Sequence, residues 1–173
     1  VAFDKMRTEE QLAYAVGALA RPIEDYSAIG LYIQTPVKGP KEIQARFDKF
    51  KKEYAVELDN MSEETFEQLK NSTLVSLKEQ PKNLSDEMSP LINDWYRENF
   101  TFDSKQKLID EVEKVTLADI KDYYKQTMLN PNAARLNVQL RGTKFIESDF
   151  ADLPNQTKIT TLDAYYNGIK LQK

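Results

Sequence analysis

Apolar positions recur along this chain with two periods, and each change of period marks a new element. Across residues 27–35, "SAIGLYIQT", Ile29, Leu31 and Ile33 alternate with Gly30, Tyr32 and Gln34, the two-residue period of a strand. The small residues before it, "YAVGALA" at 14–20, read as its partner, and "RPIEDY" at 21–26 reads as the turn, punctuated by Pro22. Residues 14–35 are therefore expected to form a β-hairpin. From Pro40 the period changes. Ile43, Phe47, Phe50, Tyr54, Leu58 and Met61 fall three or four residues apart, the strongest helical pattern in the chain, and Pro40 suits a first turn.

The remaining elements follow by the same rules. Ser62 is a candidate N-cap, with Glu63 and Glu64 favourable at the positive end of a helix. That helix runs through Phe66, Leu69, Leu74 and Leu77 to about Glu79, ahead of Pro81. Another starts at Ser85 and carries Met88, Leu91, Ile92, Trp95 and Tyr96, with Pro90 marking a kink or a late start. Asp103 or Ser104 caps a helix through Leu108, Ile109 and Val112. "TLAD" at 116–119 resembles a capping box, with Asp119 in the glutamate position, and opens a helix that "NPN" at 130–132 stops. Residues 2–12 read as the end of a helix. Residues 134–141 alternate Leu136, Val138 and Leu140 against Arg135, Asn137, Gln139 and Arg141, the pattern of a half-buried strand.

The fold class expected from these elements is α+β, with a small antiparallel sheet of three strands packed by about five or six helices. Three strands make a thin sheet for so many helices. With a helix already under way at Val1, this predicts a sheet truncated on its N-terminal side, with strands of the same domain upstream. The expected division is a body over 1–142 and a tail over 143–173. The tail's Phe145, Ile146, Phe150, Leu153, Ile159, Leu162, Tyr165, Tyr166 and Ile169 suggest that it packs on the body.

Composition narrows the function. With 173 residues, 40% apolar and 30% charged, the chain has the make-up of an ordinary globular domain and enough length for a core. No apolar run approaches the roughly 20 residues that span a bilayer, so no membrane partner is expected. No signal peptide is read at the start, and Val1 in place of Met points to a processed or longer chain. A net charge of −4 argues against nucleic acid as partner. The basic stretch at 38–52, including Arg46, is interspersed with acids and reads as a solvated helix face. There is no Cys, which leaves the redox compartment open, and no His. The commonest general base and the commonest transition-metal ligand are thus both missing, and zinc held by carboxylates alone is not expected.

Few residues can carry chemistry. Glu9–Glu10 and Glu63–Glu64 are adjacent acids, which on a helix point about 100° apart and so do not flank one bond. They read as solvated or dipole-favourable. The five glycines are scattered, so no phosphate loop exists. No spacing favours a Ser–Lys nucleophile. The five N-x-S/T triplets, at Asn60, Asn71, Asn83, Asn99 and Asn155, read mostly as chance.

That leaves "RTEEQLAYAV" at 7–16, where Arg7, Gln11 and Tyr14 follow at i, i+4 and i+7. If the helix reaches Tyr14, seven residues turn about 700° and Arg7 and Tyr14 share a face. If it ends near Leu12, Tyr14 opens the strand beside them. In both cases a guanidinium fork and a phenol hydroxyl point into one space, where such donors can hold a peptide backbone or a developing oxyanion. On geometry alone a helix-to-strand packing corner is the plainer reading.

The stretch "MRTEEQLAYAV" resembles the "LRTEEQLGY"-type segments in the C-terminal half of the pitrilysin and insulysin family, the inverzincin zinc peptidases. The resemblance continues in order through "GLYIQT", "MSEETFEQL" at 61–69, "PKNLS" at 81–85, "NFTFDSKQKLIDEV" at 99–112 and "VTLADIKDYY" at 115–124. It covers roughly residues 1–142, is strongest to the bacterial pitrilysin branch, and does not extend to 143–173.

The resemblance implies four homologous α+β domains in a large polypeptide, with two halves closing around a chamber. It implies zinc in the N-terminal half, held by an inverted H-x-x-E-H motif and a further Glu, with the motif Glu as general base. The C-terminal half lacks those ligands and supplies chamber wall and peptide contacts from an Arg-x6-Tyr pair, which falls on Arg7 and Tyr14. No catalytic residue and no cofactor are then expected in this chain itself. Its implied partners are peptide substrates and the N-terminal catalytic half of the same polypeptide. The pitrilysin branch implies the periplasm, and insulysin-like relatives the cytoplasm. One departure stands out: Ala13 replaces the family Gly before the Tyr, which would strain the backbone if that position needs a positive φ. The alternative reading is a non-catalytic scaffold or recognition subunit of the same fold, of the processing-peptidase-partner type.

Overall fold

The computed structural model describes residues 1–23 and 26–168. The chain forms two compact units, one of residues 1–52 with 131–173 and the other of residues 53–130. The described residues hold six α-helices and one two-stranded antiparallel sheet, so the α+β class stands.

In the first unit a short helix of π character, Asp4–Glu9, packs against strand β1, Ala15–Ile23. β1 pairs with β2, Tyr26–Gln34, in the register Ala15↔Gln34 through Ile23↔Tyr26. The hairpin is therefore as the alternation predicts, but the strands run through Pro22, and residues 24–25 of the expected turn lie outside the described residues. Helix α1, Pro40–Asp59, begins in this unit. The buried apolar side chains here are Met6, Leu12, Val16, Ile43 and Phe50. Gly39 just before α1 admits no side chain, since a Cβ there would meet Ser148 at 2.7 Å. Lys144 donates to the Pro36 carbonyl and Lys41 pairs with Asp149, so the early part of 143–173 lies against the loop that leads into α1. Tyr165, whose side chain is not described, and Ile169 lie outside what can be compared with the expected tail packing.

In the second unit, the end of α1 is followed by α2 (Glu63–Lys78), α3 (Leu84–Tyr96), α4 (Ser104–Lys114) and α5 (Leu117–Tyr124). Ser62 caps α2 by accepting from the Thr65 N–H at 3.1 Å. Asn83 caps α3, so that helix starts one residue earlier than Ser85, and Pro90 sits inside it. The Thr116–Asp119 capping box is complete at α5, which continues as a π turn through Leu129. The core is Leu58, Phe66, Leu117 and Tyr124, with Tyr54, Met61, Val115 and Met128 packed against it. Tyr54 and Tyr124 meet edge to face at 5.4 Å, and burial, with Tyr54 alongside, pushes the Tyr124 phenol up to about 12.

Two expectations need correction. Residues 134–141 take no regular secondary structure and form no ladder among the described residues, so the described sheet has two strands, not three. Nor is the segment half-buried on its apolar side, because Leu136, Val138 and Leu140 are 82%, 72% and 87% exposed. Its polar side is the anchored one. Asn137 donates to Gln44, the Gln139 amide exchanges two hydrogen bonds with the Ala151 backbone, and Arg141 donates to the Ser148 carbonyl while lying 4.8 Å from the Phe150 ring. Alternation sets which residues share a face. It does not supply the neighbouring strand whose N–H and C=O groups would make a ladder. A second miscast residue is Arg46, read as solvated. Its side chain is only 10% exposed.

Candidate functional site

The segment from Arg7 to Tyr14 is built as a corner between the first helix and β1. The helix is wound wide, with the Glu10 N–H donating to the Lys5 carbonyl at 3.0 Å. It stops because Gln11 takes a left-handed conformation, φ 48°. The Leu12 N–H then turns back to the Met6 carbonyl at 2.8 Å, and the Leu12 side chain is buried. Tyr14 enters the hairpin, its N–H donating to the Gln34 carbonyl at 2.8 Å.

Arg7, Gln11 and Tyr14 are therefore not on one helical line, and the arrangement is the one in which Tyr14 opens the strand. Arg7 lies in the last turn of the helix, exposed, with its guanidinium 4.8 Å from the Phe3 ring centre. Tyr14 is 74% exposed. Among the described residues no hydrogen bond or ring contact joins the two, so the structure presents both to solvent from adjacent elements without pairing them. The replaced glycine causes no strain, because the positive φ falls at Gln11, and Ala13 does not share it.

Besides the Leu12–Met6 bond, three ties hold the corner. The Glu10 carboxylate receives Arg46 Nε at 2.9 and 3.1 Å and Nη2 at 2.6 Å, a two-pronged grip from α1. The hydrogen bonds from Arg46 hold the Glu10 carboxyl below its usual range, against partial burial, which acts the other way. The Thr35 hydroxyl donates to the Leu12 carbonyl, and the Tyr14 N–H closes the end of the hairpin. Sequence reasoning missed Glu10–Arg46. The partners are 36 residues apart, and neither residue differs from its neighbours in any local pattern.

A cleft of about 450 Å³ opens in the second unit, lined by residues including Lys82, Asp86, Glu87, Asp94, Ser104 and Lys105. It includes neither Arg7 nor Tyr14. Asp94 is 1% exposed, and its Oδ2 accepts from the Ser104 N–H at 3.3 Å. It thereby caps α4, whose own N-cap residue Asp103 makes no cap bond. Asp103 is instead held by Lys107, Thr101 and Asn99, and these hydrogen bonds lower its carboxyl to about 2. This is a helix junction rather than a site with convergent chemistry.

No set of three or more His, Cys, Asp or Glu among the described residues could hold a metal ion.

An α+β domain with an exposed Arg and Tyr on a tied corner matches known proteins along most of its length. The model of PQQ synthase PqqF-like proteins, C-terminal lobe domain 4, matches residues 1–92. Protease 3 of Salmonella typhi is 28% identical over 142 residues, 82% of this chain and 15% of that protein. Insulin-degrading enzyme of Drosophila melanogaster is 26% identical over 124 residues, 72% of this chain and 12% of that protein. The crystal structure of pitrilysin superposes with a TM-score of 0.66 and 28% identity, covering 72% of this chain and 13% of that one. The chain belongs to this family, the C-terminal lobe domains of the pitrilysin/insulysin metallopeptidases. It spans about 15% of the length of Protease 3.

Proposed function

We propose that this chain is the closing, non-zinc-binding domain of a zinc-dependent endopeptidase that degrades peptides in a closed chamber. It supplies chamber wall, and Arg7 and Tyr14 donate to the carbonyl oxygens of bound peptide. The observation that carries this reading is the tied corner itself: family membership joined to two exposed donors on a loop fixed from both sides. An arginine fork and a phenol hydroxyl are donors without a competing acceptor role at a carbonyl, which suits them to a peptide backbone. Zinc and the general base belong, in this reading, to the N-terminal half of the same polypeptide, because this chain has no His and no Cys. That half and the peptide are the partners. The exposed Leu136, Val138 and Leu140 support a covered surface in the larger polypeptide. Residues 1–142 form most of the last domain, with 143–173 as a tail. The compartment follows the pitrilysin branch, the periplasm. No helix among the described residues is long and apolar enough to cross a membrane.

The test compares the isolated chain with the full polypeptide that carries it, using a fluorogenic peptide and metal analysis. The expected result is peptide cleavage and bound zinc in the full polypeptide, and neither in the isolated chain. One tightly bound zinc per isolated chain would overturn the assignment. A full polypeptide with neither zinc nor cleavage would point to a scaffold subunit instead.

A further inference from the structure

We propose that Arg46, acting through Glu10, is a positioning residue that sets Arg7 and Tyr14 at the spacing a peptide requires. This rests on the reading that Arg7 and Tyr14 contact peptide, and it adds a residue on a different element that governs them.

The structure separates this role from general packing. Glu10 stands three residues after Arg7 and four before Tyr14, at the point where the wide helix ends. Its carboxylate is the one side-chain group between them that receives an ionic grip from another element, by both Nε and Nη2 of Arg46. The other ties of the corner use backbone groups: Leu12 N–H to Met6, Thr35 to the Leu12 carbonyl, Tyr14 N–H to Gln34. The Thr35 and Tyr14 bonds hold Leu12 and Tyr14 to the hairpin, and the Leu12–Met6 bond joins Leu12 to the helix beside Arg7. The Glu10–Arg46 pair ties the end of that helix to α1. With Gln11 left-handed and no glycine to favour that conformation, the chain at 10–11 depends on its surroundings to stay where it is.

Arg46 meets the needs of such a device. It sits in the second turn of α1, four residues before the buried Phe50 and so on the same side of the helix. Its side chain is 10% exposed, which shields the pair from solvent more than an open surface pair, while Glu10 keeps 35% exposure. A planar guanidinium meeting a carboxylate by two prongs fixes direction as well as distance, which an ammonium cannot do. Arg46 touches no substrate in this scheme, and a displacement of about 1 Å in a distant support can cost on the order of 100-fold in turnover.

The experiment measures kcat and KM for a fluorogenic peptide with the full polypeptide, in wild type, Arg46→Gln, Arg46→Lys, Arg7→Gln and Tyr14→Phe, and in Arg46→Gln combined with Tyr14→Phe. The expected result is a roughly tenfold or larger fall in kcat/KM for Arg46→Gln and an intermediate value for Arg46→Lys. The loss from Arg46→Gln should also shrink in the Tyr14→Phe background, because there is then no hydroxyl left to misplace. If Arg7→Gln and Tyr14→Phe lower turnover while Arg46→Gln matches wild type, the positioning role is wrong and the peptide-contact reading survives. If neither Arg7→Gln nor Tyr14→Phe changes turnover, the peptide-contact reading fails and the positioning role fails with it. If Arg46→Gln costs the same factor in both backgrounds, its effect is general destabilisation and the positioning role is overturned. Glu10→Gln, which keeps a carbonyl acceptor, takes the place of Arg46→Gln if the latter does not fold, with the same outcomes.

Discussion

Replacing Tyr14 by Phe removes one oxygen atom, and the structure separates what that atom does for the fold from what it can do for a peptide. The side chain is 74% exposed, and among the described residues its hydroxyl has no hydrogen-bond partner. The tie of this residue to the hairpin is its backbone N–H, which Phe keeps. The stability change should therefore lie within about 0.5 kcal/mol, the range of surface substitutions. The catalytic effect depends on what the hydroxyl meets. A hydrogen bond to a ground-state peptide carbonyl contributes about 0.5–1.5 kcal/mol, a roughly 2- to 10-fold fall in kcat/KM. A donor aimed at a developing oxyanion contributes about 2.7–4 kcal/mol, a loss of about 100- to 1,000-fold carried mainly by kcat. Urea denaturation of the isolated chain and steady-state kinetics of the full polypeptide read the two quantities separately. Leu12→Ala supplies the contrast. That side chain is buried, so it should cost about 2–4 kcal/mol of stability. Wild-type kinetics for Tyr14→Phe would refute the contact, and a stability loss above about 1 kcal/mol would show that the hydroxyl has a structural role.

Other outcomes can be read on the isolated chain. Phe66→Ala, in the core with Leu58, Leu117 and Tyr124, should cost about 3–5 kcal/mol in urea denaturation; a loss under about 1 would mean that this core is not formed. Asp103 has its carboxyl lowered from 3.8 to about 2, so the unfolded chain binds its proton first. Its contribution to stability is whole above about pH 4 and is lost as pH falls through 2. Urea midpoints between pH 2 and 7 should show that slope, and Asp103→Asn should reduce it. The Tyr124 phenol is raised to about 12, so it favours the folded state below pH 10 and that contribution is lost as pH rises from 10 to 12. Burial also raises the Tyr54 phenol, so absorbance at 295 nm should show late-titrating tyrosine, and Tyr124→Phe should remove the part that titrates near 12.

The elements legible in the sequence are those whose causes are local. Ser62, Thr116 and Asp119 cap the helices they were expected to cap, because a capping bond spans three residues and needs no other part of the chain. The hairpin was legible for the same reason, since alternation and register are properties of one short stretch. The helix entered at Pro40 follows from apolar positions spaced three and four apart. Arg7 and Tyr14 could be named as candidates because the two donors stand in one short segment, and the motif around them carries the family resemblance.

Other features depended on partners far along the chain. The sequence left open whether the helix reaches Tyr14 or ends near Leu12, and the structure ends it where Gln11 turns left-handed and Leu12 is held by Thr35 and Met6. Residues 134–141 carry a strand's alternation, yet their polar side chains are the ones held, by Gln44, Ser148 and Ala151, and no neighbouring strand completes a ladder among the described residues. Glu10 and Arg46 each looked solvated until the fold brought them together. The sequence by itself determined the hairpin, the helix entered at Pro40, the caps at Ser62 and Thr116 and the absence of imidazole and thiolate ligands, since those follow from neighbours a few residues apart or from composition. Which charged side chains left water, where the first helix had to stop, and how Arg7 and Tyr14 are held were decided by tertiary structure, because pairing and burial are set by distances in space that separation along the chain does not encode.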